Sequence, residues 1–466
     1  MKKKIYIIMT LAILVISGCE KSDFLNIKPE DLTLTENAFT SPEDIERYLI
    51  SAYDVVRNGA YLGGNMWTVA EVWSTNCNTN RTGFGWSQII NNNTNIFNTE
   101  GRSLWNEAYR SIDRANYANR KMEDFPDIDP AMKTRIAAES YFINAVGHFE
   151  LVRFFALPYD ETKAGNNTQP GLPIRTLGTG TIGEAFEVMP RSTVEETYNH
   201  IIAYLEQAAT SLPESNNGFA TSWASKAYLA KVYFQQNNFN NAFEYANEII
   251  ESNVFSLDDN LTDRFDPALP SNEVIFELIS TAAGDNSGAS LEGAFRQDGT
   301  QNPSVFPSDN LVNIASAEPE DKRWQTWFNT RLPDPEASVE KTYAAKYDYD
   351  YLNVPMAYLA EIYLIRAECG AEGATGGSLS QALADVNKVI ERAFGNSSHN
   401  LTSTNNLIEN IRKQRRIEMC FEGNQMHELK RTKAQNINGL PWNDPYLIFE
   451  IPDIELNGNP NMVKNH

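Results

Sequence analysis

The stretch 224–250 constrains the fold more than any other part of the chain. Apolar residues recur at helical spacing from Ala224 to Gln235, Asn237-Asn238 supplies a turn, and the same period resumes from Phe239 to Ile250. Leu229, Ala230, Tyr233 and Ala242 place small residues where two helices must approach and a ring where the gap widens. A hairpin of this kind cannot bury its apolar stripe alone. It has to stack on further helices.

Other segments offer those partners. Ser41-Pro42-Glu43-Asp44 reads as a helix start, followed by Ile45, Leu49, Ala52 and Val56 on one face. Trp105 to Met122 reads as a helix, and Asp129-Pro130 opens another that runs towards Phe155. Ser192 to Glu195 has the form of a capping box before the stripe Val194, Tyr198, Ile201, Leu205 and Ala208. A second hairpin is expected from 354–368 and 379–392, and a long helix from Asn406 to Phe421 that stops at Gly423. The charges Arg412, Lys413, Arg415 and Arg416, with Glu409, Glu418 and Glu422, read as an ion-pair network along that helix. Leu229, Ala230, Tyr233 and Ala242 fall at the tetratricopeptide-repeat spacings. The fold class expected is therefore mostly α, a tetratricopeptide-like scaffold of helical hairpins. Between the hairpins lie unpatterned stretches at 59–100, 156–190, 253–350 and 432–466, a loop-rich half suited to binding.

The N-terminus carries an address. Lys2, Lys3 and Lys4 precede an apolar run from Ile5 to Ile16, shorter than the about 20 residues of a membrane span. Ser17-Gly18 then lead to Cys19. Residues 1–18 read as a signal peptide, with 19–466 as one domain. The ending resembles a bacterial lipobox, in which Cys19 carries the lipid; an ordinary cut near Gly18 is the alternative. Cys77, Cys369 and Cys420 do not make a disulfide framework, although a Cys369–Cys420 bridge stays open.

Composition excludes several functions. The 466 residues carry a net charge of −22, leaving no basic surplus for nucleic acid. The five histidines show no metal-ligand spacing, and no nucleophile elbow is present. Gly178-x-Gly180-x-x-Gly183 matches a dinucleotide fingerprint as a string only, with Pro173 before it and Pro190 after it where a strand and a long helix are needed. No catalysis, metal or cofactor is expected.

The binding candidates cluster after the first helix. Trp67, Trp73, Phe84 and Trp86 stand near Arg81, and eight asparagines lie between 76 and 98. Flat aromatic faces suit the C–H faces of sugar rings, while Asn and Arg suit their hydroxyl rims. Trp73, Trp86, Asn76, Arg81 and Trp67 are the first candidates. Phe295 and Arg296, in the Gly/Ser/Asn-rich stretch 281–310, are the second.

The chain resembles the SusD/RagB family of outer-membrane nutrient-binding lipoproteins of Bacteroidetes. The resemblance rests on Asp23-Phe24-Leu25-Asn26-Ile27-Lys28-Pro29, Trp105-x-x-x-Tyr109, Ala138-Glu139-Ser140-Tyr141-Phe142, Arg191-Ser192-Thr193-Val194 and Asp321-x-Arg323. Gln414-Arg415-Arg416-Ile417-Glu418 to Phe421-Glu422-Gly423, Leu429-Lys430-Arg431 and Ile451-Pro452 with Asn459-Pro460 complete it. Gln414, Gln425 and Glu428 depart from the pattern. The resemblance implies a lipoprotein that captures oligosaccharide, or peptide in the RagB branch, and lids a SusC-type TonB-dependent transporter. It also implies that the loop at Trp73 to Asn76 borders the pocket; separately, Glu20 and Asp23, close behind Cys19, resemble the short acidic signal that sends lipoproteins of some Gram-negative bacteria to the outer face of the outer membrane. A lipid-anchored repeat scaffold that binds only protein is the alternative from another class.

Overall fold

The computed structural model describes residues 38–296, 302–333 and 336–466; the leader 1–18, Cys19, Glu20 and Asp23 lie outside the described residues. Residues 38–44 belong to a short N-terminal unit, in which Thr40 and Ser41 donate backbone N–H groups to the Asp44 carboxylate at 2.8 and 3.0 Å. There the helix Pro42–Val56 begins, where the sequence places it.

The scaffold within 45–466 is a succession of helices: α1 (Thr99–Lys121), α2 (Pro130–Phe155), α3 (Val194–Ser211), α4 (Ser222–Gln235), α5 (Phe239–Glu251), α6 (Leu359–Ala371), α7 (Leu379–Phe394), α8 (Leu407–Glu418) and α9 (Asn424–Arg431). From α1 to α7 each helix packs on the next, and α6 also packs on α8. Close approach is built into the residues: a Cβ on Gly147 of α2 would lie 2.7 Å from the Ile112 side chain of α1. Phe142, Phe149, Tyr198 and Tyr228 meet edge to face between α2, α3 and α4.

The caps explain the boundaries. Asn98 accepts from the Gly101 N–H, so α1 begins at Thr99, six residues before the expected start. Asp129 caps α2 with Pro130 in its first turn. The capping box on α3 is formed by Thr193 and Glu196, one residue later than the sequence suggests.

Among the described residues six short strands leave the scaffold: β1 (Cys77–Thr79), β2 (Val274–Leu278), β3 (Val305–Pro307), β4 (Phe328–Arg331), β5 (Lys341–Ala344) and β6 (Val354–Tyr358). They pair antiparallel as β1–β3, β2–β6 and β4–β5. The expected helix 354–368 is thus a strand for its first five residues, and β6 runs directly into α6. β2 and β6 both pack against α4, so the long excursion between α5 and α6 leaves and rejoins the stack at one place.

Charge is buried where α6 to α9 meet the excursion. Arg264 bonds to Glu273 and Glu418 at 2.9 Å each. Arg392 bonds to the same two carboxylates, and Arg323 joins Asp321 to Gln414. Lys346 lies 2.6 Å from Glu422. Burial opposes ionising Glu418, but Arg392, Arg264, Arg323 and Lys346 outweigh it and hold its carboxyl far below the usual range. The expected network along α8 is therefore tertiary. Arg412 pairs with Glu368 and Glu372, Arg415 with Glu361 and Glu428, and Arg416 reaches Asn76. Helix α8 uses its cations to join elements, not to bridge its own turns.

Candidate functional site

The segment 59–100 carries two helices, Asn65–Trp73 and Phe84–Ile90, where the sequence shows no period. Every residue from Met66 to Trp73 is buried, which removes the polar face that periodicity detects. Gly423 shows why this helix lies so close to α9. It has φ +71°, and a Cβ there would lie 2.6 Å from the Trp67 Cα.

Glu71 is the hinge of that contact. Its carboxylate accepts from Asn76 Nδ2 at 2.6 Å and from the Gly423 N–H at 3.0 Å. Burial pushes its pKa up to about 7, against the pull of those donors and the Arg416 charge. Asn76 Oδ1 in turn accepts from Arg416 Nε and Nη2 at 3.0 and 2.8 Å. Asn76 is therefore a structural relay and not a sugar-rim amide.

Three rings are corrected in the same way. Trp73 is fully enclosed: its Nε1 donates to Asn92 at 2.9 Å, its ring meets Phe449 at 4.8 Å, and Lys430 lies 5.9 Å from its centroid. Trp67 is buried beside Gly423, at the wall of a small recess of about 40 Å³ that it shares with Glu150, Arg153 and Glu361. Phe295 is buried between Tyr347 and Phe421. None of the three offers a face to a ligand in this structure. Arg296 is committed to Glu292, Asp350 and the Tyr349 carbonyl. Several asparagines serve turns: Asn98 caps α1, and Asn92 spans from Trp73 to the Asn438 carbonyl.

Arg81 and Trp86 are brought together. The Arg81 guanidinium sits 4.7 Å above the Trp86 ring, and its Nε donates to Ser304 Oγ at 2.9 Å. Burial lowers the Arg81 pKa from its ordinary value, with Glu100 opposing. Trp86 is buried as well, 7% exposed, so it does not offer the open ring face the sequence suggested, whereas Phe84, at the start of the same helix, is 61% exposed. The β1–β3 ribbon continues this surface. Asn78 lies opposite Phe306, so the two share one face of the ribbon. Lys341 of the β4–β5 hairpin lies 5.8 Å from the Phe306 ring. Phe306, Lys341 and Asn78 were missed from sequence; the short alternations of β3 and β5 are the only local signal for them. A fixed guanidinium, the exposed Phe84 ring and the side chains of the β1–β3 ribbon are groups chemically suited to polar, ring-shaped molecules.

Among the described residues no group of His, Cys, Asp and Glu is arranged to hold a metal, and no helix is long and apolar enough to cross a membrane. Burial holds His148 and His200 neutral, at about 4 and about 3, and both bond to Asn144. Cys77, Cys369 and Cys420 are free and buried. The Gly178–Gly183 string is irregular backbone ending in a four-residue helix, Ile182–Ala185.

A stack of helical hairpins with long irregular excursions defines a tetratricopeptide-like repeat fold. The profile described as "Starch-binding associating with outer membrane" matches residues 23–234, and the SusD family profile matches 209–446. The chain belongs to the SusD family, whose members are nutrient-binding proteins. It is 25% identical to SusD-like protein P2 of Formosa agariphila over 100% of this chain and 99% of that one. It is 26% identical to a SusD-like protein of Bacteroides ovatus, over 57% of this chain and 47% of the relative. Among solved structures, a SusD superfamily protein of Bacteroides thetaiotaomicron superposes with a TM-score of 0.80, at 22% identity, over 91% of this chain and all of that one. A SusD-like carbohydrate binding protein of Bacteroides vulgatus gives 0.74, at 18% identity, over 92% and 98%.

Proposed function

We propose that this protein is a non-catalytic, lipid-anchored surface receptor. It captures oligosaccharide and passes it to a SusC-type TonB-dependent transporter, with Cys19 as the anchor at the outer membrane. The observation that carries the reading is Arg81, fixed over Trp86 and tied to Ser304 beside the exposed ring of Phe84. A guanidinium held in one orientation donates to sugar hydroxyls without first losing freedom, and Phe84 and Phe306 supply carbon for the ring faces. Family membership supports the class, and solved relatives described as sugar or carbohydrate binding support the ligand.

Full burial of one aromatic side chain sets an upper bound of roughly 5 kcal/mol. Ordering and desolvation reduce it, so affinity in the micromolar range or weaker is expected. Calorimetry of the folded protein against panels of neutral oligosaccharides and of short peptides tests the ligand. Binding of a glycan that Arg81→Ala weakens at least tenfold supports the proposal. Binding of peptides alone replaces it with a peptide receptor. New reducing ends on incubation with polysaccharide would overturn the non-catalytic reading. Pull-down of the lipidated protein tests the partner, and recovery of soluble proteins without a β-barrel would sink the transporter assignment.

A further inference from the structure

Helices α8 and α9 and the helix Asp309–Ala315, which Ser308 caps, form the walls of a recess of about 440 Å³. That lies inside the ~300–1,000 Å³ range of small-molecule sites. Ile314 and Leu429 give the recess carbon, and Lys413, Arg416 and Gln425 are among its polar groups. It adjoins the β1–β3 ribbon. Arg416 donates to Asn76 just before β1, and the Asn76 carbonyl accepts from the Ser308 N–H, just after β3, at 3.0 Å.

Some charges of the lining are already committed. Arg412 pairs with Glu368 and Glu372, and Glu428 pairs with Arg415 and Arg431. Glu409 is exposed and pairs with none of the cations. Two cations are left. Lys413 is half-buried, and its ammonium makes no hydrogen bond or ion pair with the described residues. Arg416 gives Asn76 only its Nε–H and one Nη2–H, and its Nη1 has no partner.

These donors are accessible: neither Lys413 Nζ nor Arg416 Nη1 is among the buried polar atoms without a partner. Three positions apart on α8, the two side chains share one face of the helix. In a chain of net charge −22, two unneutralised cations on one recess stand out. The Gln425 amide beside them also makes no hydrogen bond with the described residues. The Thr432 hydroxyl donates to the Glu428 carbonyl at 2.7 Å, so its oxygen can still accept.

We infer that this recess takes an anionic sugar unit, whose carboxylate or sulfate ester lies between Lys413 and Arg416. The inference rests on the oligosaccharide-receptor reading and adds the charge of the substrate. A neutral ring leaves both cations without a countercharge. An inorganic anion alone leaves Ile314 and Leu429 uncovered. An acidic sugar meets every group: its anionic oxygens accept from the ammonium and the guanidinium fork, its C–H face covers the two aliphatic side chains, and its hydroxyls bond to Gln425 and Thr432. Because the recess adjoins the ribbon, one chain can lie along both.

The test is calorimetry of the full-length protein at low and high salt. Oligogalacturonate and sulfated carrageenan oligosaccharides are compared with their methyl-esterified and desulfated counterparts, beside a glutamate oligopeptide. At least one acidic form is expected to bind about tenfold more tightly than its neutral counterpart, and high salt to shrink that ratio. Lys413→Gln, which removes no polar contact of the fold, is expected to bring the ratio close to one. Arg81→Ala is expected to weaken both forms alike. The inference is overturned if no acidic form outbinds its neutral counterpart, if Lys413→Gln keeps the parent's ratio, or if the peptide binds more tightly than any saccharide. Neutral forms that bind as well as the acids would leave the receptor reading standing without this selectivity. Failure of every saccharide, the neutral panel included, would overturn both.

Discussion

Arg264 and Arg81 both lay a guanidinium over aromatic rings, yet they belong to opposite halves of the molecule's work. Arg264 is wholly buried, 4.2 Å from Tyr358 and 5.2 Å from Trp327, with Glu273, Glu418 and Glu422 around it. Arg81 has one ring, one serine hydroxyl and a partly open flank. The same residue pairing is glue in one place and a candidate grip in the other. What separates them is whether carboxylates already surround the cation and whether solvent reaches it.

Substitutions should sharpen that contrast. Glu418→Ala strands three buried arginines and is expected to cost about 3–5 kcal/mol, read by denaturant unfolding. A midpoint close to the parent's would show that the buried charges do not hold the fold. Trp73→Ala empties a packed interior site and should cost a similar or slightly smaller amount, ~3–5 kcal/mol. If it unfolds normally but loses ligand, Trp73 belongs to the binding surface after all. Arg81→Ala should cost about 1 kcal/mol of stability while oligosaccharide affinity falls at least tenfold. Equal losses in both would make it glue too. Arg296→Ala, confined to exposed ion pairs, should change unfolding by no more than about 1 kcal/mol and binding hardly at all.

Two buried titrating groups give the scaffold a pH signature. Burial raises Glu71 to about 7, so the folded state takes up a proton that the unfolded chain releases near 4.5. Its contribution is complete below 4.5 and is lost as pH rises through about 7. Burial, reinforced by Arg153, lowers Lys430 from 10.5 to about 7, so the unfolded chain binds more protons between these values and stability rises there with pH. Because the buried histidines oppose Glu71 below about pH 6.5, each contribution is read as a difference: parent minus Glu71→Gln should fall between pH 4.5 and about 7, and parent minus Lys430→Met should rise between about 7 and 10.5.

Local chemistry made much of the scaffold readable. Asp129-Pro130, the α4–α5 turn at Asn237-Asn238 and the stripe on α3 each announce themselves within a few residues. The failures have physical causes. β6 looks helical because it enters α6 with no turn residue between them. The helix Asn65–Trp73 is apolar on all sides, so no period marks it. The fate of Trp73 depends on Asn92, Lys430 and Phe449, two of them more than 350 positions away, and no window around residue 73 contains them. The Arg81–Trp86 contact joins near neighbours in the chain and so lies within reach of a local reading.

The relay from Glu71 to Arg416 passes through Asn76, one residue before β1 begins. Anyone exchanging the ribbon for a relative's, to change what this protein collects, is therefore transplanting only half of a joint. A graft of 77–86 that omits its matching positions at 71, 76 and 416 would arrive with the right side chains at the wrong angle.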